Sequence, residues 1–599
     1  MTTDLSSRFS LPTQDRGTPS ATQSNPAVLA QWLESLPKTN LGQTTRSLYE
    51  GITELNRVTL SPALRLQQLE VMRPAIYFAA AGLRRHYLNQ PIVLPEQAQK
   101  VTRLAHVLFQ ELATGYTLVA VHTLENEKQS GFSQPRQGIA TALHRALVDH
   151  THNLLRDALL YREPRRGCWH ALHQTAALAW EQQLERFAVA DVQAGDSTLE
   201  AAYLRALLLG STRAHQLRQD DLIKTFSHLL DWSRLVSLCG SDQGLFVIDS
   251  DTDDGPIYRE HFHRQSGADA HTLGLDTLAL GEHLYQQRNA DDEALVGQHL
   301  LSNDLLAHLT LAWTTASNRA FLRMDANEPI ELALGLTATH HFCADEIDFA
   351  LLLSKEGFVK TKNHQGNPFL RVDTPSRESR PRDVWDSPFL NTGLAQISVD
   401  SIDFSIRNQH KAAEGSKDKD KYRFHAVETV NISPGGFCLK WPPESAAQIR
   451  TGEIVGIRER NHKNWSIGVI RWVRLLESGP QLGIELLSPT ATPFGARVIQ
   501  KTGPQGEFQR VLVLPEMKQS GQTTTLITPR LPFRSGQKIV LVYRDKETRI
   551  QLVRRLMSTT AFSQFEFRRI GTSAPTAGPG TETKTPGADS GFDGLWDSL

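Results

Sequence analysis

Cysteine is scarce in this chain: four occur in 599 residues, Cys168, Cys239, Cys343 and Cys438, and none stands at paired spacing from another. That argues against a disulfide framework or a cysteine zinc site and suits a reducing compartment. Excess charge is also missing. With 64 Lys and Arg against 65 Asp and Glu the formal net charge is −1, so no global basic field draws in DNA or a membrane surface, and any anion site is local. The polar N-terminus has no apolar h-region, and no stretch reaches the ~20 apolar residues a membrane span needs. The expectation is a cytoplasmic protein without a span. There is no Walker loop, GxSxG elbow or HExxH, so the chain reads as a non-enzyme with no catalytic residues, no metal and no resident cofactor.

Two short motifs about a hundred residues apart stand out against these absences: Arg319-x-x-x-Arg323 and Asn431-x-Ser433-x-x-Gly436. Each precedes an alternating segment. After Arg323 come Ile330, Leu332, Leu334, Leu336 and Ala338, and after Gly436 come Phe437, Leu439 and Trp441; this period of two sets one apolar face against a barrel interior. A guanidinium fork pairs bidentately with phosphate oxygens or with the O6/N7 edge of guanine, a geometry lysine lacks. Asn431 and Ser433 offer short polar groups at a strand end, while Gly435 and Gly436 permit close backbone approach. Taken singly, the first motif is a solvated basic helix face and the second an ordinary turn. Their order and flanking strands make the pair one split ligand site.

These residues resemble the signature of the PilZ family of bacterial cyclic di-GMP receptors, RxxxR followed by [D/N]xSxxG. The likeness covers roughly residues 315–500, and Trp465–Trp472 and Leu482–Leu486 are similar to the family's later barrel strands. It implies a small antiparallel β-barrel that binds cyclic di-GMP through Arg319, Arg323, Asn431, Ser433, Gly435 and Gly436, and whose arginines close over the ligand. The spacing departs from the family, because residues of about 340–420 intervene where a strand and hairpin normally suffice. In layout, and in segments such as Asn40-Leu-Gly42 and His86-Tyr-Leu-Asn-Gln-Pro91, the chain resembles the large multidomain FimW-type receptors of Gammaproteobacteria. That narrower likeness implies a role in type IV pilus-dependent surface motility, with recruitment to the cell pole. No signature of cyclic di-GMP synthesis or hydrolysis accompanies the motifs. The competing reading is a structural adaptor whose barrel no longer binds nucleotide.

The expected fold class is α+β multidomain. Residues 1–25 read as a disordered lead and 26–240 as an all-α bundle or solenoid. Its apolar stripes are Leu48, Ile52 and Leu55; Val101, Leu104, Leu108 and Leu112; and Ile139, Leu143, Leu147 and Leu154. Residues 241–318 form a mixed connection that opens with a strand, Gly244–Ile248. The acidic run Asp249–Gly255, with Glu260 twelve places along, has its glycine one place late for a calcium loop and reads as a solvated loop. The PilZ-like barrel spans 319–500, interrupted at about 340–420. There His340, His341, Cys343 and Asp345 end the first strand as polar residues rather than zinc ligands. A small β-domain follows at 505–570, then a Gly/Pro/Thr-rich tail at 571–599. An unidentified protein partner is expected at the tail's Phe592–Leu599 tip or on the helical domain.

Overall fold

The computed structural model describes residues 5–15, 25–262, 271–289, 301–316, 322–353, 422–445, 447–460, 462–500, 506–517, 522–544 and 546–570. Eight helices build the N-terminal domain: α1 Pro26–Ser35, α2 Leu41–Arg57, α3 Pro62–Arg84, α4 Glu96–Glu125, α5 Pro135–Leu159, α6 Cys168–Glu181, α7 Leu199–Ser211 and α8 Gln219–Trp232. Local chemistry starts several of them. Asn25, Asn40, Ser61 and Thr198 accept hydrogen bonds from the first-turn amides of Ala27, Gln43, Leu64 and Ala201, and Pro26 and Pro62 take first-turn positions where no N–H is needed. The three apolar stripes all face the core, with Leu48, Ile52, Leu104, Leu108, Leu112, Leu143 and Leu147 sealed from solvent. Helix α4 is long and apolar enough to cross a bilayer, but 78% of its most apolar window is buried inside this domain.

A polar network runs through the helical core. Arg73 forks onto Asp191 at 2.7 and 2.9 Å, and Arg145 reaches the same carboxylate at 3.0 Å and Glu70 at 3.1 Å. Burial alone would raise the Asp191 carboxyl, but the Arg73 hydrogen bonds and the two positive charges outweigh it and hold the group below its usual range. Burial pushes the neighbouring Asp149, bonded by the Tyr77 hydroxyl, up to about 7.

Three sequence expectations change here. Described residues of the N-terminal lead pack onto the helical domain: Leu5, Phe9 and Leu11 touch its core, Arg8 pairs with Glu181 at 2.8 Å, and Asp15 pairs with Arg57. The acidic run does more than solvate a loop. The Asp253 carboxylate accepts from the backbone amides of Gly167 and His170, so it caps α6 from 83 residues away in sequence. Its flanking strand, Phe246–Asp249, belongs to a four-stranded sheet with Ser237–Gly240, Thr272–Asp276 and Ile257–Tyr258. Finally, the first barrel strand stops at Leu334. Gly335, at φ +80°, breaks the extended run, and Leu336, Ala338, His340, His341 and Cys343 lie on a helix over Gly335–Cys343.

The middle barrel has six antiparallel strands: β1 Pro329–Leu334, β2 Phe424–Ser433, β3 Gly436–Lys440, β4 Ile454–Glu459, β5 Ser466–Leu476 and β6 Gly479–Ser488. Their order β3-β6-β5-β4-β1-β2 closes through the β2–β3 hairpin around Leu332, Leu439, Trp441, Val455, Ile470, Val473 and Leu482. A second closed barrel follows: β7 Thr492–Val498, β8 Gln509–Leu514, β9 Thr525–Pro529, β10 Lys538–Tyr543, β11 Lys546–Ser558 and β12 Phe562–Arg569. The helix Gly335–Cys343 packs against strands of both barrels, and His340 Nε2 lies 3.0 Å from the Phe494 carbonyl. Burial drives His340 down to about 3, so its imidazole is neutral and donates to that carbonyl. Among the described residues no His, Cys, Asp or Glu cluster has the makings of a metal site.

Removing Asp191 strands Arg73 in the core and leaves Arg145 with Glu70 alone, so Asp191→Ala should cost about 3–5 kcal/mol of stability in urea unfolding of the full chain.

Candidate ligand site on the middle barrel

Arg323 and the Asn431–Gly436 hairpin lie on one face of this barrel. A two-residue arm, Met324–Asp325, pairs with β2, placing Met324 opposite Ile432 and Asp325 opposite Asn431. Arg323 immediately precedes this two-residue ladder. Its side chain is exposed and forms no ion pair among the described residues. Arg319 lies outside the described residues, as do residues 354–421 of the insertion and the Phe592–Leu599 tip.

Across β2, Asn431 pairs with Cys438 and Ser433 pairs with Gly436, so the second motif is the β2–β3 hairpin itself. The Ser433 hydroxyl donates to the Gly436 carbonyl at 3.2 Å, and the Gly435 carbonyl accepts from the Leu486 amide at 3.0 Å. The Asn431 amide is half-buried with no hydrogen bond among the described residues, leaving its donors and acceptor for a ligand edge. Gly436 is needed for a different reason from the one its sequence suggests. With φ at +152°, a Cβ there would sit 1.9 Å from the Ile484 carbonyl oxygen, so the missing side chain admits strand β6 rather than open space.

Two residues that motif reading missed complete the face. Trp472 pairs with Gly483, and a Cβ on Gly483 would fall 1.8 Å from Trp472 Nε1, so the indole occupies the space that a side chain there would need. The Arg474 guanidinium carbon stands 5.8 Å from the Trp472 ring centroid. Burial raises the Cys438 thiol above its ordinary value, and the charges of Arg323 and Arg474 partly offset this, so both guanidiniums act on one spot beside Asn431. The detectable signal was a Trp-x-Arg on a strand facing a glycine, which only the β5–β6 register reveals. Two cations, an amide with no hydrogen bond among the described residues and an indole over a glycine can hold a phosphate and stack a planar base.

This arrangement is that of a PilZ domain, a barrel carrying a basic lead-in against an Asn-x-Ser-x-x-Gly hairpin. Family models match the whole architecture in order: the cyclic-di-GMP receptor FimW N-terminal domain at residues 27–242, its middle PilZ domain at 245–493 and the FimW C-terminal beta-barrel domain at 494–570. A curated Pseudomonas aeruginosa protein, cyclic-di-GMP receptor FimW, is 34% identical over 621 residues that cover 99% of both chains. The chain belongs to the FimW family. No solved structure matches it.

Because Gly436 sits against Ile484 without room for a methyl group, Gly436→Ala should destabilise the protein by about 1–3 kcal/mol or more in urea, whereas Ser433→Ala, losing one hydroxyl bond, should cost about 1 kcal/mol.

Proposed function

We propose that the protein is a non-enzymatic receptor for cyclic di-GMP that converts ligand binding into a changed protein-interaction surface. The register of the Met324–Asp325 arm on β2 carries this reading, because it puts Arg323 beside the Asn431–Gly436 hairpin despite the long insertion between them. Arg323, with Arg319 from the same lead-in, would grip phosphate or a guanine edge. Asn431 would bond a base edge or ribose, and Trp472 would offer its indole face to a purine. The name of the Pseudomonas aeruginosa relative supports the choice of nucleotide. The cytoplasm, a polar site of action and type IV pilus-dependent motility as the regulated output rest on the family resemblance. A lone Glu293-Ala-Leu295 spells part of a phosphodiesterase signature, but it lies outside the described residues and stands apart from the candidate site in sequence.

The test is calorimetric titration of cyclic di-GMP into the full chain. Arg319→Ala/Arg323→Ala should abolish the binding heat and leave the far-UV circular dichroism unchanged. Wild-type affinity in that variant would overturn the assignment, and absence of heat with the unmodified protein would favour the adaptor reading.

A further inference from the structure

A cavity of about 500 Å³, within the size range of ligand pockets, opens between the helical domain, the four-stranded sheet and the middle barrel. Arg162 and Arg213 line it from the helical side and Arg474 from the barrel, with Trp169, Tyr258 and His215 completing the wall. Three guanidiniums meet two carboxylates there, Glu163 and Asp254, and none of the five forms an ion pair with another among the described residues. Arg213 instead donates to the Tyr258 hydroxyl and the Thr315 carbonyl, each at 2.7 Å. Arg474 meets the His215 ring at 3.5 Å and the Trp472 ring, and burial, aided by the charge of Arg474, lowers that histidine to about 3, so it contributes no competing cation. Burial depresses the Arg162 guanidinium, and Asp157 offsets only part of the cost. Two non-glycine residues on the wall, Tyr161 and Arg213, adopt left-handed backbone at φ +57° and +53°. Strain and under-compensated cations together mark a surface shaped for an anion.

The cavity wall is tied to the candidate site through two of its arginines. Thr315, held by Arg213, stands four residues before Arg319 at the root of the lead-in, while Arg474 belongs to the face beside Asn431 and Cys438. The helical domain is fixed to the barrel at the same place, where the Leu475 amide donates to the Tyr161 carbonyl at 2.8 Å.

We propose that this cavity is a second wall of the cyclic dinucleotide site, in which Arg162 and Arg213 of the helical domain contact a phosphate or guanine of the ligand held by the barrel. The inference rests on the receptor reading above. One bound molecule, or a stacked pair of them, then spans the two domains, and the helical domain senses the ligand directly.

Calorimetric titration of cyclic di-GMP into the full-length protein tests this with Arg162→Ala, Arg162→Lys, Arg213→Lys and Arg323→Ala. Arg162→Ala should weaken affinity by about tenfold or more, the effect of losing a charge-assisted contact. Arg162→Lys, which keeps the charge but loses the fork, should recover only part of it, with the melting temperature of the unliganded protein unchanged; Arg213→Lys should also weaken affinity, with a small fall in that temperature because one ammonium does not replace the bonds to both Tyr258 and Thr315. If Arg323→Ala abolishes binding while every Arg162 and Arg213 variant stays within twofold of wild type, the second wall is overturned and the barrel site stands. If Arg323→Ala binds normally, the receptor reading falls, and the cavity proposal with it.

Discussion

Two backbone pairs, Met324 with Ile432 and Asp325 with Asn431, hold the arginine-bearing lead-in against the hairpin, and the site has no other covalently local reason to exist. Arg323 and Ser433 are more than a hundred residues apart, yet the distance matters little energetically. Strands β1 and β2 form an ordinary antiparallel pair with Ala333 opposite Phe424, so the intervening chain is grafted onto a hairpin end. Loop-closure entropy grows only with the logarithm of length, about 0.6 kcal/mol per doubling, so the paired strands keep their register and the motifs keep theirs. The unusual spacing therefore lengthens the connection between two paired strands without changing their register.

The molecule uses arginine in two opposed ways. In the helical core Arg73 and Arg145 converge on Asp191, so each of these three charges has a partner. At the domain junction Arg162, Arg213 and Arg474 gather around open space; the contacts of Arg213 and Arg474 are carbonyl, hydroxyl and ring groups, and Asp157 compensates Arg162 only in part. Arg162 and Arg213 lose part of their hydration there without a full counter-ion. An arriving dianion changes the balance.

Much of this was legible in the sequence, and the misses share a cause. Helical stripes such as Leu104, Leu108 and Leu112 are read correctly because their periodicity is local, and the hairpin Asn431–Gly436 announces itself through turn chemistry. The alternation from Ile330 ran on through Ala338 because hydropathy does not register Gly335, whose positive φ turns strand into helix. Asp253 looked like part of a solvated run because the α6 amides it caps are far away in sequence. Strand β7, Thr492–Val498, begins Thr-Pro-Phe-Gly and carries breaker residues, so only its ladders to β8 and β10 define it. Trp472 and Arg474 became site residues only when register placed Gly483 beneath the indole. Local patterns specified elements; long-range register specified the site.

The same distinction bears on how such a receptor transmits a signal. A ligand shifts a conformational equilibrium only by the difference in its affinity for the two states, so contacts confined to the barrel, identical in every domain arrangement, would bind tightly and change nothing. The basic lead-in supplies one differential contact because it connects Asn303–Thr314, a helix packed into the core of the helical domain, to the arm on β2. The junction supplies another. Arg213 and Tyr258 hold that helix's C-terminal end through Thr315 and Ala312, while Tyr161 and His215 hold β5 through Leu475 and Arg474. Drawing an anion into the space between them tightens both attachments together, and that coupling is what would let a nucleotide on a barrel's outer face reposition eight helices.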